Sequence, residues 1–71
     1  METRVRLISD PDLPCRIVCA IEAPTKDAAQ AEINHAMNAA ECDCAMASFF
    51  GPFRAGDGYV AFGEIIERQP Q

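Results

Sequence analysis

The N-terminal third of the chain alternates between polar and hydrophobic positions. Residues 3–9 read TRVRLIS and residues 15–23 read CRIVCAIEA, and this period of two predicts two half-buried strands. The stretch between them, DPDLP, holds two prolines and two aspartates, and it predicts a turn that closes an antiparallel hairpin. The residues on its apolar face, which should form the floor for a helix, are Val5, Leu7, Ile17 and Ile21.

The period changes to that of a helix over residues 25–41. Thr25 is a good N-cap because its hydroxyl can accept a hydrogen bond from a free backbone N–H. Asp27 in the first turn suits the positive end of the helix dipole. At about 100° per residue, one side of the helix collects small apolar residues. This stripe consists of Ala29, Ile33, Ala36, Met37 and Ala40. His35 falls on the opposite side and is expected to face solvent.

The remainder of the chain predicts two more strands. Residues 44–50, CAMASFF, are apolar on both faces, so the sequence leaves their orientation open. Residues 51–58 hold three glycines and a proline, which predict a long turn. Residues 59–67 predict a fourth strand that is broken or bulged at Gly63, and residues 68–71 predict a frayed tail.

Together these elements predict one small α+β domain spanning residues 1–71. Their order is ββαββ, with a single helix packed on one face of a three- to four-stranded antiparallel sheet. One helix leaves the other sheet face uncovered. Because Ile8, Val18 and either Phe49 or Phe50 must point to that face, we expect it to be an interaction surface.

Composition and charge narrow the classes of function. The chain has 71 residues and a formal net charge of −5, which argues against broad contact with a phosphate backbone. Direct nucleic-acid binding is therefore not expected, whereas a protein partner with a basic surface is. No apolar run reaches the roughly 18 residues of a membrane span, and the N-terminus lacks a secretory h-region. The expected location is the cytoplasm, or the host-cell cytoplasm if a phage encodes the protein.

Four cysteines raise the question of a metal site. Cys15 and Cys19 lie on one predicted strand, about 13 Å apart by strand rise, which is too far for one tetrahedral site. We expect them, with Cys42 and Cys44, to be reduced, mostly buried thiols that hold no metal or cofactor. A metal site and a disulfide are the alternatives. His35 is predicted to lie away from the inward cysteines, so a Cys–His catalytic pair is not expected and we predict a protein without enzymatic activity.

Phe53 and Arg54 are the first candidates for partner contact. They are predicted at the tip of the 51–58 loop, where an exposed aromatic residue beside an arginine suits an interface hot spot. The alternative is that Phe53 folds back over the edge of the core.

Charged residues supply two further candidate contacts. The acidic ones could meet a basic partner surface, although such runs are usually only solvated. They are Glu32, Glu41 and Asp43. The basic ones lie on one predicted sheet face, where with a nearby phenylalanine they could bind a single nucleic-acid strand. Cross-strand pairing with Glu2 and Glu22 is the favoured interpretation. The basic residues are Arg4, Arg6 and Arg16.

In architecture, size and charge, the whole chain resembles the small acidic inhibitors that phages encode, the anti-CRISPR proteins among them. The resemblance involves no motif, so no functional residue is transferred. It implies stoichiometric blocking of a large nucleic-acid-handling complex, such as a CRISPR effector complex, by a protein without enzymatic activity. The alternative is a small homodimeric accessory domain, or a metal- or small-ligand-binding domain, that uses its open sheet face.

Overall fold

A computed structural model describes residues 2–68, which form one helix and one four-stranded sheet. The elements are β1 (Arg4–Ser9), β2 (Arg16–Ala23), α1 (Lys26–Cys42), β3 (Met46–Ala55) and β4 (Gly58–Ile66). Neighbouring strands are antiparallel, in the spatial order β1-β2-β4-β3. The predicted α+β fold with order ββαββ is confirmed, and its sheet has four strands. Apart from Arg68, the predicted tail lies outside the described residues.

The start of α1 is determined locally, as predicted. The Thr25 hydroxyl accepts a hydrogen bond from the Ala28 backbone N–H at 3.1 Å, and the Thr25 backbone is extended, as an N-cap requires. Asp27 is the acidic residue of the first turn. The inward side of the helix carries Ala29, Ile33 and Ala40, whereas Met37 of the predicted stripe is 41% exposed.

The end of α1 is a Schellman motif built without glycine. The Ala45 N–H donates to the Ala40 carbonyl at 2.8 Å, and the Cys44 N–H donates to the Glu41 carbonyl at 3.1 Å. Closing these bonds requires a left-handed backbone at Cys44, whose φ is 57°. Glycine usually occupies this position because a Cβ is disfavoured there.

Replacing Cys44 by glycine should therefore stabilise the fold. We expect Cys44→Gly to raise the free energy of unfolding by about 0.5–1 kcal/mol, because the left-handed strain is relieved. Urea denaturation followed by circular dichroism measures this change. Cys42→Gly is the matched control, since the same substitution in the last helical turn should destabilise by a similar amount. A loss of stability in Cys44→Gly would contradict the motif.

Strand β3 is longer than predicted. It runs through the glycine and proline that were expected to begin a loop, so the predicted boundaries at 44–50 and 51–58 are wrong. Only Gly56 and Asp57 separate it from β4. The register shifts between Phe50 and Phe53, where Gly51 has a φ of 108°. An edge strand tolerates this irregularity and a proline because it is hydrogen-bonded on one side only.

The break or bulge predicted at Gly63 is also wrong. Gly63 pairs regularly with Cys19 of β2 and with Phe49 of β3. A Cβ on Gly63 would lie 2.6 Å from one ring carbon of Phe49 and 2.7 Å from another. The glycine is therefore present because an aromatic ring crosses its backbone, which is a second known reason for glycine within a strand.

The core is small and lies between α1 and the two central strands of the sheet, β2 and β4. It is formed by the buried residues Cys19, Ile21, Ala23, Ala29, Ile33 and Ala61. Helix α1 packs mainly against β3 and makes fewer contacts with β2 and β4. Val5 and Leu7 of β1 remain 44% and 63% exposed, so the expectation that they form the helix floor is wrong. A helix about 10 Å wide cannot cover four strands that span about 19 Å.

Candidate binding surfaces

The sheet face that points away from α1, called the outer face here, exposes large apolar side chains. Phe50 and Phe62 are register partners and are 66% and 50% exposed. Further exposed apolar residues follow on the same face by register: Ile8, Met46, Phe53 and Ile66. Phe53 is the next outward-facing residue beyond Phe50 on the same strand, whereas Glu64 and Ser48 lie between these phenylalanines and the pair Met46 and Ile66. An exposed aromatic cluster of this kind marks a contact surface in small proteins.

The register also determines which of the two adjacent phenylalanines points outward. Phe49 is partly buried and packs against the core, while Phe50 lies on the outer face. Phe53 is 53% exposed and belongs to the outer face as well. Both Phe53 and Arg54 lie in β3, with Val60 and Tyr59 as their register partners, and not at a loop tip as predicted. Successive strand residues point to opposite faces, so these two side chains do not form one joint contact.

Of the three predicted arginines, Arg16 is engaged within the fold. Its guanidinium donates to a carboxylate oxygen of Glu64 at 2.7 Å and to one of Asp10 at 3.0 Å. These are not the predicted partners, Glu2 and Glu22. The pKa of Asp10 is lowered, first by the Asp12 backbone N–H and then by Arg16. Arg16 therefore ties the β1–β2 turn to β4, and is a weak candidate for partner contact.

Arg4 and Arg6 remain on the exposed strand β1. All six residues of this strand are exposed. Arg4 is the register partner of Glu22, and Arg6 that of Ala20. Among residues 2–68, the ion pairs are those of Arg16, so both β1 guanidiniums remain available to a partner. The outer face thus combines aromatic residues on β3 and β4 with cations on β1.

The predicted acidic residues do not form one surface. Glu32 and Asp43 line a groove on the helix side of the sheet. Glu41 lies beside a separate shallow depression together with Met37 and Met46. The acidic side of α1 therefore has two parts, and the first adjoins the larger of the two concavities.

The first concavity, called the α1–β1 groove here, was not predicted from the sequence. Its volume is about 550 Å³, and it lies where the helix leaves β1 and part of β2 uncovered. Its apolar lining consists of Val5, Leu7, Ile17, Cys19, Ala36, Ala39, Ala40, Ala45 and Ile65. Its polar lining consists of Glu32, His35, Asp43, Glu67 and Arg68. A signal existed in the sequence, since the short links before and after the helix, at residues 24–25 and 43–45, hold it over the strands that it connects.

The groove brings Cys19 and His35 to the same concavity, which the sequence interpretation did not expect. Cys19 is only 1% exposed. Burial raises the pKa of its thiol, and the charge of Glu32 adds a smaller effect in the same direction. A raised pKa disfavours the nucleophilic thiolate. The four cysteines are free thiols, of which Cys42 and Cys44 are exposed, contrary to the expectation of mostly buried ones. Within residues 2–68, no three His, Cys, Asp or Glu side chains are grouped to hold a metal ion.

In comparisons with known proteins, no family model, curated protein or solved structure matches the chain. No helix in the described part of the chain has the length and hydrophobicity needed to cross a membrane.

Proposed function

We propose that this protein is a non-enzymatic inhibitor that binds a larger protein complex through the outer face of its sheet. The observation that carries the proposal is the exposure of Phe50, Phe53 and Phe62 together on one face. Aromatic side chains of this kind dominate the energy of protein interfaces because they bury a large area at a low entropic cost. The outer face has the composition of such a contact surface, with Arg4 and Arg6 at its β1 border.

The charge distribution supports a target that handles nucleic acid. The chain carries 11 acidic residues against 6 basic ones. Glu41 and Asp43 are exposed at the end of α1, away from the outer face. An acidic surface of this kind can face the basic channel of a nucleic-acid-binding complex and repel its substrate. The proposed target class is therefore a CRISPR effector complex or a comparable nucleoprotein machine, which the protein would block stoichiometrically.

The test is inhibition of target-DNA cleavage by purified CRISPR effector complexes of several types. We expect the unmodified protein to inhibit one of them at close to a 1:1 ratio. Phe50→Asn removes an apolar side chain from the outer face and should raise the half-inhibitory concentration at least about tenfold. Leu7→Asn is the matched control, because Leu7 is equally exposed, at 63% against 66%, but lies on the helix side.

Two results would contradict the proposal. One is the absence of inhibition across all complexes at a large molar excess of protein. The other is inhibition that Phe50→Asn and Leu7→Asn weaken equally. Thermal melts of each variant exclude unfolding as the cause, since neither replaced side chain is buried. Reversing Glu41 and Asp43 to lysine tests the acidic surface separately, and should weaken inhibition without changing the melting temperature.

A homodimer is the second candidate, because the same outer face could cover a second copy. In a face-to-face dimer with its two-fold axis parallel to the strands, β1 of one copy lies over β3 of the other. Arg4 and Arg6 would then reach Phe50 and Phe53, an arrangement that favours cation–π contacts. Sedimentation equilibrium distinguishes the two candidates. If the unmodified protein is a dimer at micromolar concentration and the Phe50→Asn variant is a monomer, the second function is favoured over the inhibitor.

A further inference from the structure

We propose that the α1–β1 groove is a docking site for an amphipathic helix of a partner protein, with lysine or arginine residues flanking the apolar stripe of that helix. This site is separate from the outer face and independent of the inhibitor proposal.

The uncovered area runs along β1 and the adjoining part of β2, beside α1. A second helix placed there, about 10 Å wide with its side chains, would cover β1 and lie against the wall of α1. Leu7 and Val5 present apolar atoms there and are 63% and 44% exposed. A second helix beside α1 would cover the inner face of the sheet, as two helices commonly do over four strands.

The walls of the groove suit a helix more closely than a flat surface. On the α1 side the wall is formed by Ala36, Ala39 and Ala40. Short side chains allow a neighbouring helix axis to approach to about 8 Å, the low end of helix packing distances. Larger residues on the incoming helix can then fill the depth between this wall and Leu7, as helices do in other grooves that bind them.

The rim determines the charge of the occupant. Glu32, Asp43 and Glu67 border the groove, against one permanent cation, Arg68. Flanking lysine or arginine residues on the incoming helix would therefore meet carboxylates, while flanking acids would be repelled. The same acids disfavour a second copy of α1 as the occupant, since it would bring its own Glu32 and Asp43.

A synthetic peptide of about 18 residues, or five helical turns, tests the proposal directly. It carries leucine at i, i+3, i+4 and i+7 with lysine at the flanking positions, and a fluorophore reports binding by anisotropy. Two further peptides are compared with it, one with glutamate in place of lysine and one with the same composition in scrambled order. We expect the basic amphipathic peptide to bind at least about tenfold more tightly than either, and its affinity to fall as salt is added.

Adjacent residues of β1 provide the matched variants. Leu7 and Ile8 are 63% and 57% exposed and point to opposite faces of the sheet. Leu7→Asn should weaken peptide binding about tenfold through lost apolar burial, while Ile8→Asn should leave it within about twofold. The double variant Glu32→Lys and Asp43→Lys should reverse the preference, so that the acidic peptide binds better. Glu22→Lys with Asp57→Lys makes the same change in charge away from the groove and should not.

Several outcomes would overturn the proposal. These are no binding of the basic peptide at millimolar concentration, equal binding of the basic and acidic peptides, or equal effects of Leu7→Asn and Ile8→Asn. Self-association that Leu7→Asn abolishes would also overturn it, because the occupant would then be a second copy. Since Leu7→Asn serves as the control for the inhibitor assay, failure at the groove and failure at the outer face are distinguishable.

Discussion

Gly63→Ala should destabilise the fold by about 2–3 kcal/mol, the cost typical of overpacking a well-filled site. The added methyl group would collide with the Phe49 ring, whose carbons lie 2.6 and 2.7 Å from the ideal Cβ position. Phe49 packs against the core, so moving its ring aside would cost packing contacts. A domain of this size has a total stability of only about 4–10 kcal/mol, so the variant should lose a large share of it. Urea denaturation at constant pH measures the change.

A double-mutant cycle separates this steric cause from a general effect of alanine in β4. Phe49→Ala removes the ring and is itself destabilising through lost packing. In the Phe49→Ala background, Gly63→Ala should cost little, so that the coupling energy between the two sites exceeds about 1 kcal/mol. Additive effects of the two substitutions would show that the ring does not cause the requirement for glycine.

Gly56→Ala supplies the contrast within the same hairpin. Gly56 has a φ of 57°, and no atom lies within 4 Å of its ideal Cβ position. Its replacement should therefore cost only the left-handed backbone strain, about 1 kcal/mol. Equal losses of stability in Gly56→Ala and Gly63→Ala would contradict a steric requirement specific to Gly63.

Features that depend on neighbouring residues were predicted well from the sequence. The alternation in residues 3–9 and 15–23 identified β1, β2 and their pairing, and Thr25 marked the start of the helix. Each of these signals reflects a local constraint, either the two-residue pleat of a strand or a hydroxyl within reach of its own helix. Tertiary contacts were not needed to interpret them.

Features that depend on position in the sheet were not predictable in the same way. Gly51 and Pro52 are loop signals by composition, but β3 is an edge strand and continues past them with a bulge. Gly63 reads as a bulge signal, yet it accommodates the ring of Phe49 from the neighbouring strand. In both cases the deciding contact comes from β-strand pairing, which alternation along one strand does not specify.

The candidate site shows the same division. The open sheet face with exposed aromatics followed from counting one helix against four strands. The groove required knowing the strand order, in which β1 is an edge strand outside the strands that α1 connects, β2 and β3. Arg16 was predicted to contact a partner because of the sheet face on which it lies. Its ion-pair partners, Asp10 in a turn and Glu64 on another strand, could not be identified from the strand pattern.

Ala29→Leu should destabilise the fold by about 2–3 kcal/mol, because it places a larger side chain where the helix packs against buried residues of the sheet. Ala29 is fully buried, as are Ala23 and Ala61 in the same cluster. The sheet residues of this cluster include Ala23 and Ala61, and an alanine side chain cannot rotate aside to make room for leucine. The helix would have to shift away from β2 and β4. Thermal denaturation should show a decrease of roughly 10 °C or more in the melting temperature.

Ala31→Leu is the matched control on the same helix. Ala31 is exposed, and leucine and alanine have nearly equal helix propensities, so this substitution should change stability by less than about 0.5 kcal/mol. The difference between the two variants isolates the close approach of α1 to the sheet. That approach also defines the depth of the α1–β1 groove, because Ala36 and Ala40 form its wall on the same helix. Equal stability of Ala29→Leu and Ala31→Leu would mean that the helix can withdraw freely, and a groove with a movable wall would not discriminate between helices that differ in side-chain size.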